Sequence, residues 1–212
     1  MKILKIDNIF PEIQKLQEAA NLLKQNKVII HPTETVYGLA GNYANDQVIE
    51  NIQEMKGRGS NQPFSILVNN IDTIFEISGN KSDWLTNFLS QVLPDAITVL
   101  VPRKKKLANS FWHQFSYLGF RYPDHLISTS LVNLSGTPLI TTSANLTGEK
   151  PPASLNDINR SLLKRVNLVF DSGETLYKKP STIIKVVGNK PGIKLIREGA
   201  ISFEKIKSCL EI

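Results

Sequence analysis

The chain has 212 residues, of which 41% are hydrophobic and 21% are charged, values that are ordinary for a soluble globular protein. No segment approaches the roughly 18–20 apolar residues of a membrane helix, and the first residues lack the apolar core of a signal peptide. We therefore expect a cytoplasmic protein that contacts no membrane. The single cysteine, Cys209, excludes an internal disulfide and a cysteine-based zinc cluster. The net charge of +6 suits a nucleotide or an RNA partner, and it also fits simple solubility.

Helical periodicity and short apolar runs alternate in the first half of the chain. This pattern predicts, in order, a helix at 13–23, a strand at 28–30, a helix at 48–55, a strand at 64–68, a helix at 85–92 and a strand at 97–101. Asp46 and Ser82 are the expected N-caps of the second and third helices.

Strands dominate the second half. The predicted elements are a strand ending near Arg121, a helix at 127–134 capped by Asp124, a strand at 138–141, a helix from Ser154 to about Lys164, strands near 166–170, 181–187 and 193–197, and a helix at 203–210. No linker, repeat or change of composition divides the chain. We therefore predict one domain over residues 1–212, an α/β fold with a twisted, mixed parallel and antiparallel sheet flanked by helices.

Hydroxyl-rich turns and flexible cations are the candidate functional features. Pro32 ends the strand at 28–30 and delivers Thr33, Glu34 and Thr35 to the mouth of a strand, where ligands bind in open α/β sheets. Further along the chain come Lys56-Gly-Arg58, Thr142-Ser-Ala-Asn145 and Pro180-Ser-Thr182. Such groups suit a polyphosphate and an amino acid.

Other kinds of site are excluded or weakly supported. The chain contains no P-loop, no G-x-G-x-x-G after a strand and no G-x-S-x-G elbow, and its three histidines lack metal-ligand spacing. Each candidate also has a structural explanation when taken alone, because helix ends favour cations and turns favour serine and asparagine. The basic run Arg103–Lys106 fits a solvated loop, a mobile cover over an anionic ligand or a contact with RNA.

The combination of motifs, in this order, resembles the YrdC-like family, the threonylcarbamoyl-adenylate synthases, over about residues 11–201. The motifs are Pro32-Thr-Glu-Thr-Val-Tyr-Gly-Leu39, Lys56-x-Arg58 with Pro63, Arg121-x-Pro123, Thr142-Ser-Ala-Asn-Leu-Thr-Gly148, Pro180-Ser-Thr-Ile183 and Arg197-Glu-Gly-Ala-Ile201. The resemblance implies a twisted α/β sheet with a basic concave face. It also implies formation of threonylcarbamoyl-AMP and pyrophosphate from L-threonine, bicarbonate and ATP with Mg²⁺. The product would feed the downstream transferase machinery that modifies adenosine 37 of tRNA.

The resemblance also assigns residues by motif. Thr35, Arg121, Thr141 and Ser181 would hold threonine, with Arg121 gripping its carboxylate in a two-pronged geometry. ATP would be held by Arg58, Gln62, Ser143, Asn145 and Arg197, with Tyr117 and Pro151 as weaker assignments near the nucleotide. Lys56, near the phosphates, and Arg58 would be the catalytic cations, and no protein-held metal is expected.

The chain departs from the family pattern at three places, which are Asp95-Ala96 after Pro94, Gly59 after the Lys-x-Arg motif, and Lys185 after Ser181-Thr-Ile-Ile. Two alternatives remain open at this point. One is a paralogue on the same fold with another substrate, and the other is a double-stranded RNA-binding protein that uses the basic face.

Overall fold

The computed structural model describes residues 1–57, 59, 62–107, 109–187 and 192–210. Its strands are β1 (Lys2–Lys5), β2 (Ile29–His31), β3 (Gly38–Asn42), β4 (Ser65–Leu67), β5 (Ile97–Pro102), β6 (Tyr117–Arg121), β7 (Leu139–Ser143), β8 (Leu168–Asp171), β9 (Thr182–Val186) and β10 (Ile193–Arg197). Its helices are α1 (Ile13–Lys24), α2 (Asp46–Lys56), α3 (Ile71–Ser78), α4 (Asp83–Val92), α5 (Leu126–Ser135), α6 (Arg160–Leu163) and α7 (Phe203–Ser208). Short 3-10 turns occupy Ser110–Gln114 and Leu155–Asp157.

The strands form one ten-stranded sheet in the order β1-β8-β2-β3-β7-β4-β6-β5-β9-β10. β1, β8 and β2 are parallel to one another, as are β4 with β6 and β5 with β9, and the remaining neighbours are antiparallel. The predicted mixed α/β sheet with flanking helices is therefore confirmed.

The two faces of the sheet are covered differently. One face carries the larger core, in which apolar residues of α2, α3, α4, α6 and α7 pack on alternate strand residues such as Leu39, Ile66 and Phe120. The other face is covered by α1 and α5, which pack on β8, β2, β3 and β7 and reach Leu67 in β4. The half of this second face formed by β6, β5 and β9 contributes no residue to that core.

Three sequence predictions differ locally from the structure. The N-cap of α2 is Asn45, whose side chain accepts the Val48 N–H, and not the predicted Asp46, which is the next residue. The N-cap of α5 is His125 and not the predicted Asp124, which is the residue before it. The capping box at Ser154 is present, but it opens a 3-10 turn, and a separate short α6 follows in place of one continuous helix.

The structure also contains elements that the sequence patterns did not indicate, namely β1, β3, α3 and the 3-10 turn Ser110–Gln114. The departure after Pro94 is accommodated in an ordered turn, in which the Asp95 N–H donates to the Tyr122 carbonyl at 3.2 Å. Across the described part of the chain, none of the helices has the length and apolar character needed to span a membrane.

Candidate functional site

A polar cleft of about 250 Å³ opens beside the uncovered half of the sheet. Register explains how its walls are assembled, because Thr141 lies opposite Ser65 and Ser65 lies opposite Gly119, which places these residues on one face. The described residues that line the cleft are Thr33, Thr35, Val36, Gly38, Pro63, Phe64, Ser65, Leu67, Thr98, Arg121, Pro123, Thr141, Thr142, Ser143, Pro151, Pro180, Ser181, Ile183 and Arg197.

The turn between β2 and β3 is fixed by the Thr33 hydroxyl. This hydroxyl donates to the Val36 carbonyl at 2.7 Å and accepts the N–H groups of Thr35 and Val36 at 3.1 and 3.2 Å. The Thr35 hydroxyl lies 2.7 Å from it. Whichever of the two hydroxyls donates in this contact, the Thr35 oxygen keeps at least one lone pair for the cleft. Thr35 therefore offers an acceptor to a ligand.

Arg121 forms a buried ion pair with Glu34, and the two side chains are 7% and 5% exposed. Its Nη1 also donates to the carbonyl oxygens of Asp95 and Ile97, at 2.5 and 3.1 Å. Three of the five guanidinium N–H groups are thus used, which leaves Nε–H and one hydrogen on Nη2. Nε–H and the second hydrogen of Nη2 are therefore the donors that remain for the two-pronged contact with a carboxylate that the sequence predicts.

The end of β7 supplies two hydroxyls to the cleft, those of Thr141 and Ser143. Within the described part of the chain, neither hydroxyl makes a hydrogen bond.

The sequence predicts that the Lys56 ammonium lies near the phosphates of a ligand. In the structure Lys56 is buried, and its Nζ donates to the carbonyl oxygens of Ser143 and Asn145 at 2.5 and 2.7 Å. Lys56 therefore joins the end of α2 to the turn after β7.

Asn145 organises the loop that follows β7. Its Nδ2 donates to the carbonyl oxygens of Leu146 and Glu149, each at 2.8 Å, while its Oδ1 is buried without a partner among the described residues. Asn145 lies outside the lining of the cleft, whereas Pro151 further along the same loop is part of the lining.

On the opposite wall, the hydroxyls of Ser181 and Thr98 are hydrogen-bonded at 2.8 Å. Arg197, from the end of β10, donates through Nη2 to the Ser181 carbonyl at 2.8 Å and also lines the cleft. Arg121 and Arg197 thus approach the cleft from different strands, β6 and β10. They give it two cations that an anionic ligand can reach.

Gln62 and Tyr117 are not brought into the cleft, and the predicted Arg58 lies outside the described residues. Gln62 is exposed outside the lining. Tyr117, at the other end of β6 from Arg121, has Lys185 Nζ at 3.7 Å from its ring centroid. The basic run at 103–106 is anchored away from the lining, because Arg103 donates to the carbonyl oxygens of residues 105, 113 and 115.

Two histidines, the fully buried His31 and the partly buried His125, lie behind the cleft. Burial, and next the charge of His125, lowers the pKa of His31 from 6.5 to about 3. Burial, and next the nearby Arg121, lowers the pKa of His125 to about 4. The two rings are linked through the Ser128 hydroxyl, which is 3.4 Å from His31 Nδ1 and 3.1 Å from His125 Nδ1. Both imidazoles are therefore neutral at pH 7.

The sequence placed Glu34 at the mouth of a strand without a partner and gave no role to Thr98, Gly38 or His31, although all four lie at or behind the cleft. Glu34 and Gly38 belong to the motif at 32–39, so their nearness was visible in the sequence. The pairing of Glu34 with Arg121 was not, because the two residues are 87 positions apart.

The comparisons with known proteins agree with this architecture. The family model described as "Telomere recombination" (Sua5, YciO and YrdC) matches residues 21–199. The chain belongs to the Sua5/YciO/YrdC family. A Methanocaldococcus jannaschii relative, provisionally named a threonylcarbamoyl-AMP synthase, is 33% identical over 210 residues, which cover 98% of each chain.

Two further family members are longer than this chain. The threonylcarbamoyl-AMP synthase of Bacillus subtilis is 29% identical over 205 residues, which are 96% of this chain and 59% of that protein. The crystal structure of P. abyssi Sua5 in complex with L-threonine superposes with a TM-score of 0.89 at 24% identity, covering 99% of this chain and 61% of the other. The chain thus spans about three fifths of each of these two family members, and the likeness to Sua5 establishes the shared fold.

Proposed function

We propose that this chain is an L-threonylcarbamoyladenylate synthase, a nucleotidyltransferase that forms threonylcarbamoyl-AMP and pyrophosphate from L-threonine, bicarbonate and ATP. The observation that carries the proposal is the convergence of Arg121 with the hydroxyls of Thr35, Thr141 and Ser143 in one cleft. Curated members of the family are named for this activity, which supports the same reading.

The amino-acid end of the proposed site is formed by Arg121, Thr35, Thr141 and Ser181. The two unused guanidinium hydrogens of Arg121 face a carboxylate side-on, a charge-assisted contact that a lysine could not reproduce. The lone pairs of Thr35 suit the amino group, which is a donor. A volume of about 250 Å³ lies just below the roughly 300 Å³ at which drug-sized pockets begin. The enclosed space therefore suits an amino acid and its carbamate.

The nucleotide extends beyond this enclosed space, along the open half of the sheet. Ser143 and Arg197 stand at the cleft wall, and we assign them to the phosphates. Alternate residues of β6 share one face, so the face that carries Arg121 continues to Tyr117, where a base can stack. We place Arg58 and Gln62, which follow α2, and Asn145 and Pro151, which follow β7, around the same ligand.

The structure suggests a positioning role for Lys56 in this scheme. Its ammonium holds the backbone of Ser143 and Asn145, so it sets the direction in which the Ser143 hydroxyl leaves β7. Arg58 and Arg197 would then contact the phosphates, because their planar guanidinium groups match the arrangement of phosphate oxygens.

In this scheme Mg²⁺ binds together with ATP. Among the described residues, no group of three or more His, Cys, Asp or Glu side chains could hold a metal ion. The hydroxyl and cation lining fits an ion that keeps its waters and is bound by the phosphates, as Mg²⁺ commonly is with nucleotides. Its chemistry there would be to neutralise phosphate charge.

The reaction needs positioning more than a protein nucleophile. The deprotonated threonine nitrogen takes up the carbon of bicarbonate, with loss of water, to form a carbamate. A carbamate oxygen then attacks the α-phosphorus, and the bond from that phosphorus to the bridging oxygen breaks to release pyrophosphate. Both reactants are anions, so cations that offset their repulsion and hold them in line supply most of the catalysis.

We further propose that the product passes to the machinery that threonylcarbamoylates tRNA, in the cytoplasm.

Two alternative functions are tested by ligand-induced shifts of the melting temperature. The proposal expects ATP and threonine each to raise it. A paralogue would respond to ATP without threonine, and a double-stranded RNA-binding protein would instead show a tight affinity for RNA that falls steeply with salt.

Ser143→Ala is expected to weaken ATP binding by about 10- to 150-fold, because a hydrogen bond to a charged group contributes roughly 1.5–3 kcal/mol. The melting temperature without ligand should barely move, since this hydroxyl has no partner in the described part of the chain. Differential scanning fluorimetry with and without ATP measures both quantities. Ser90→Ala, on the exposed side of α4, is the matched control. A variant that loses ligand-free stability but keeps its full ATP shift would mean that Ser143 is a structural turn residue.

A further inference from the structure

One ring nitrogen of His31 has no hydrogen-bond partner in the part of the chain that the structure describes. Its side chain is fully buried, at 0% exposure, and Nε2 has no hydrogen-bond partner among the described residues. A buried polar atom without a partner costs free energy, so such an atom usually marks a place where a ligand or an ordered water binds. His31 ends β2 directly before the turn that supplies Thr33 and Thr35 to the cleft.

The tautomer of His31 depends on where the Ser128 hydroxyl directs its hydrogen. His125 Nδ1 accepts the Ser128 N–H at 3.4 Å, so that nitrogen carries no hydrogen. The Ser128 hydroxyl has one hydrogen and lies near this nitrogen, the Pro32 carbonyl at 3.3 Å and His31 Nδ1 at 3.4 Å. With that hydrogen directed to His125 Nδ1 or to Pro32, His31 Nδ1 carries the ring hydrogen and donates it to the Ser128 oxygen. His31 Nε2 is then a bare lone pair, and the low pKa of about 3 keeps the ring neutral near pH 7.

Gly38 leaves a notch in front of this lone pair. Gly38 is paired with His31 in the β2–β3 ladder and lines the cleft. A β-carbon built on Gly38 would lie 3.4 Å from Thr141 Oγ1, 3.4 Å from the Thr142 carbonyl oxygen and 3.6 Å from His31 Nε2. A methyl group at this position would therefore contact all three atoms at ordinary van der Waals distances, and the walls of this small space are oxygen and nitrogen atoms.

We propose that this notch, defined by Gly38, Thr141 Oγ1 and His31 Nε2, binds the hydroxyl group of the substrate amino acid. The inference rests on the proposed function, since it requires an amino acid in the cleft. The ligand hydroxyl donates to His31 Nε2 and accepts from the Thr141 hydroxyl, so both of its hydrogen-bonding capacities are used. His31 then determines specificity for threonine over apolar amino acids of the same shape.

A hydroxyl fits the notch better than the amino group of the ligand does. Arg121 is close enough to lower the pKa of His125, whose ring is linked to His31 through Ser128, so the surroundings disfavour a second cation. The amino group must also remain accessible to bicarbonate, and the acceptor on Thr35 offers it a separate place.

The expected discrimination is large. A site built to bind a hydroxyl rejects the analogue that lacks it by about 10⁴-fold, because its own buried polar groups are then left unpaired. Valine is the matched ligand, since it replaces the threonine hydroxyl by a methyl group. L-allo-threonine exchanges the positions of hydroxyl and methyl, so the proposal expects it to bind far more weakly than threonine as well.

Calorimetric titration of threonine, valine and L-allo-threonine against three variants tests the notch. His31→Phe removes the acceptor and should bring threonine and valine to within about 10-fold of each other. His31→Gln restores an acceptor near the position of Nε2 and should recover part of the preference. Gly38→Ala fills the notch at ordinary contact distances, so it should abolish threonine binding while the ligand-free melting temperature and the ATP-induced shift are retained.

The outcomes separate this inference from the proposed function. If the wild type binds threonine and His31→Phe keeps the full preference over valine, the notch holds only water and the inference is overturned, while the function stands. If the wild type binds threonine no better than valine, the inference is also overturned. If the wild type binds ATP but none of the amino acids, both the inference and the proposed function fail.

Discussion

Replacing Glu34 by alanine is expected to lower the free energy of unfolding by about 3–5 kcal/mol, because it leaves the buried guanidinium of Arg121 without its counter-ion. The two backbone carbonyls that Arg121 also contacts carry only partial charges and cannot replace a carboxylate. Chemical denaturation monitored by circular dichroism measures the loss. The same variant should weaken threonine binding, because the guanidinium loses the partner that orients it beside the cleft.

A double-mutant cycle isolates the pair. Arg121→Met should also be destabilising, because it leaves the buried Glu34 carboxylate without its counter-ion. Glu34 Oε2 already has no partner among the described residues. The double variant Glu34→Ala with Arg121→Met should be more stable than the sum of the two single losses predicts, since no unpaired charge remains. Glu34→Gln keeps the shape of the side chain and should fall between wild type and Glu34→Ala. If Glu34→Ala costs less than about 1 kcal/mol, the ion pair is not the buried contact that we describe.

Lowering the pH from 7 to 5 should reduce the free energy of unfolding by roughly 4 kcal/mol through His31 and His125 alone. The pKa values of these residues are depressed in the folded protein, to about 3 and about 4, from 6.5. Below pH 6.5 these two imidazoles therefore bind protons in the unfolded chain but not in the folded protein, so the free energy of unfolding decreases as the pH falls. Each ring contributes about 1.36 kcal/mol per pH unit below 6.5, or roughly 2 kcal/mol at pH 5.

Denaturant titrations at pH 7, 6 and 5 measure this slope. Hydrogen bonds lower the pKa values of Asp7, Glu12 and Asp157, so these carboxyl groups lose their contribution only at a pH below the window. His31→Phe should remove about half of the loss between pH 6.5 and 5, because one of the two titrating rings is absent. A variant with an unchanged slope would contradict the burial of a neutral imidazole at this position.

The elements that the sequence predicts well are those in which several local signals agree. α4 has a clear apolar stripe, the side chain of Ser82 caps it as expected, and Pro94 follows its end. β3 was missed because Gly38–Asn42 contains no β-branched residue and gains its place only through pairing with β2 and β7. α3 was missed because its isoleucines and threonine favour strands, and its helix is secured by the Asn70 cap and by Gly79 in a left-handed conformation.

The site shows the same division between local and distant information. Motif positions such as Thr35, Thr141, Ser143 and Ser181 do meet in one cleft, as the sequence suggested. The backbone carbonyls that hold Arg121 and Lys56 in place could not be predicted from the sequence. Arg121 donates to backbone carbonyls that lie 24 and 26 residues away, and Lys56 donates to carbonyls 87 and 89 residues away. No residue type signals a carbonyl acceptor, because every residue carries one.

Synthase activity is measured by the release of pyrophosphate from ATP when threonine, bicarbonate and Mg²⁺ are supplied together and withheld one at a time. A coupled assay would follow pyrophosphate, and mass spectrometry would identify threonylcarbamoyl-AMP. We expect release only when threonine and bicarbonate are both present, with serine a poorer substrate because it lacks a methyl group that is worth roughly 1 kcal/mol in a fitted pocket. Release at the same rate without an amino acid, or no release with all of the substrates present, would contradict the proposed function.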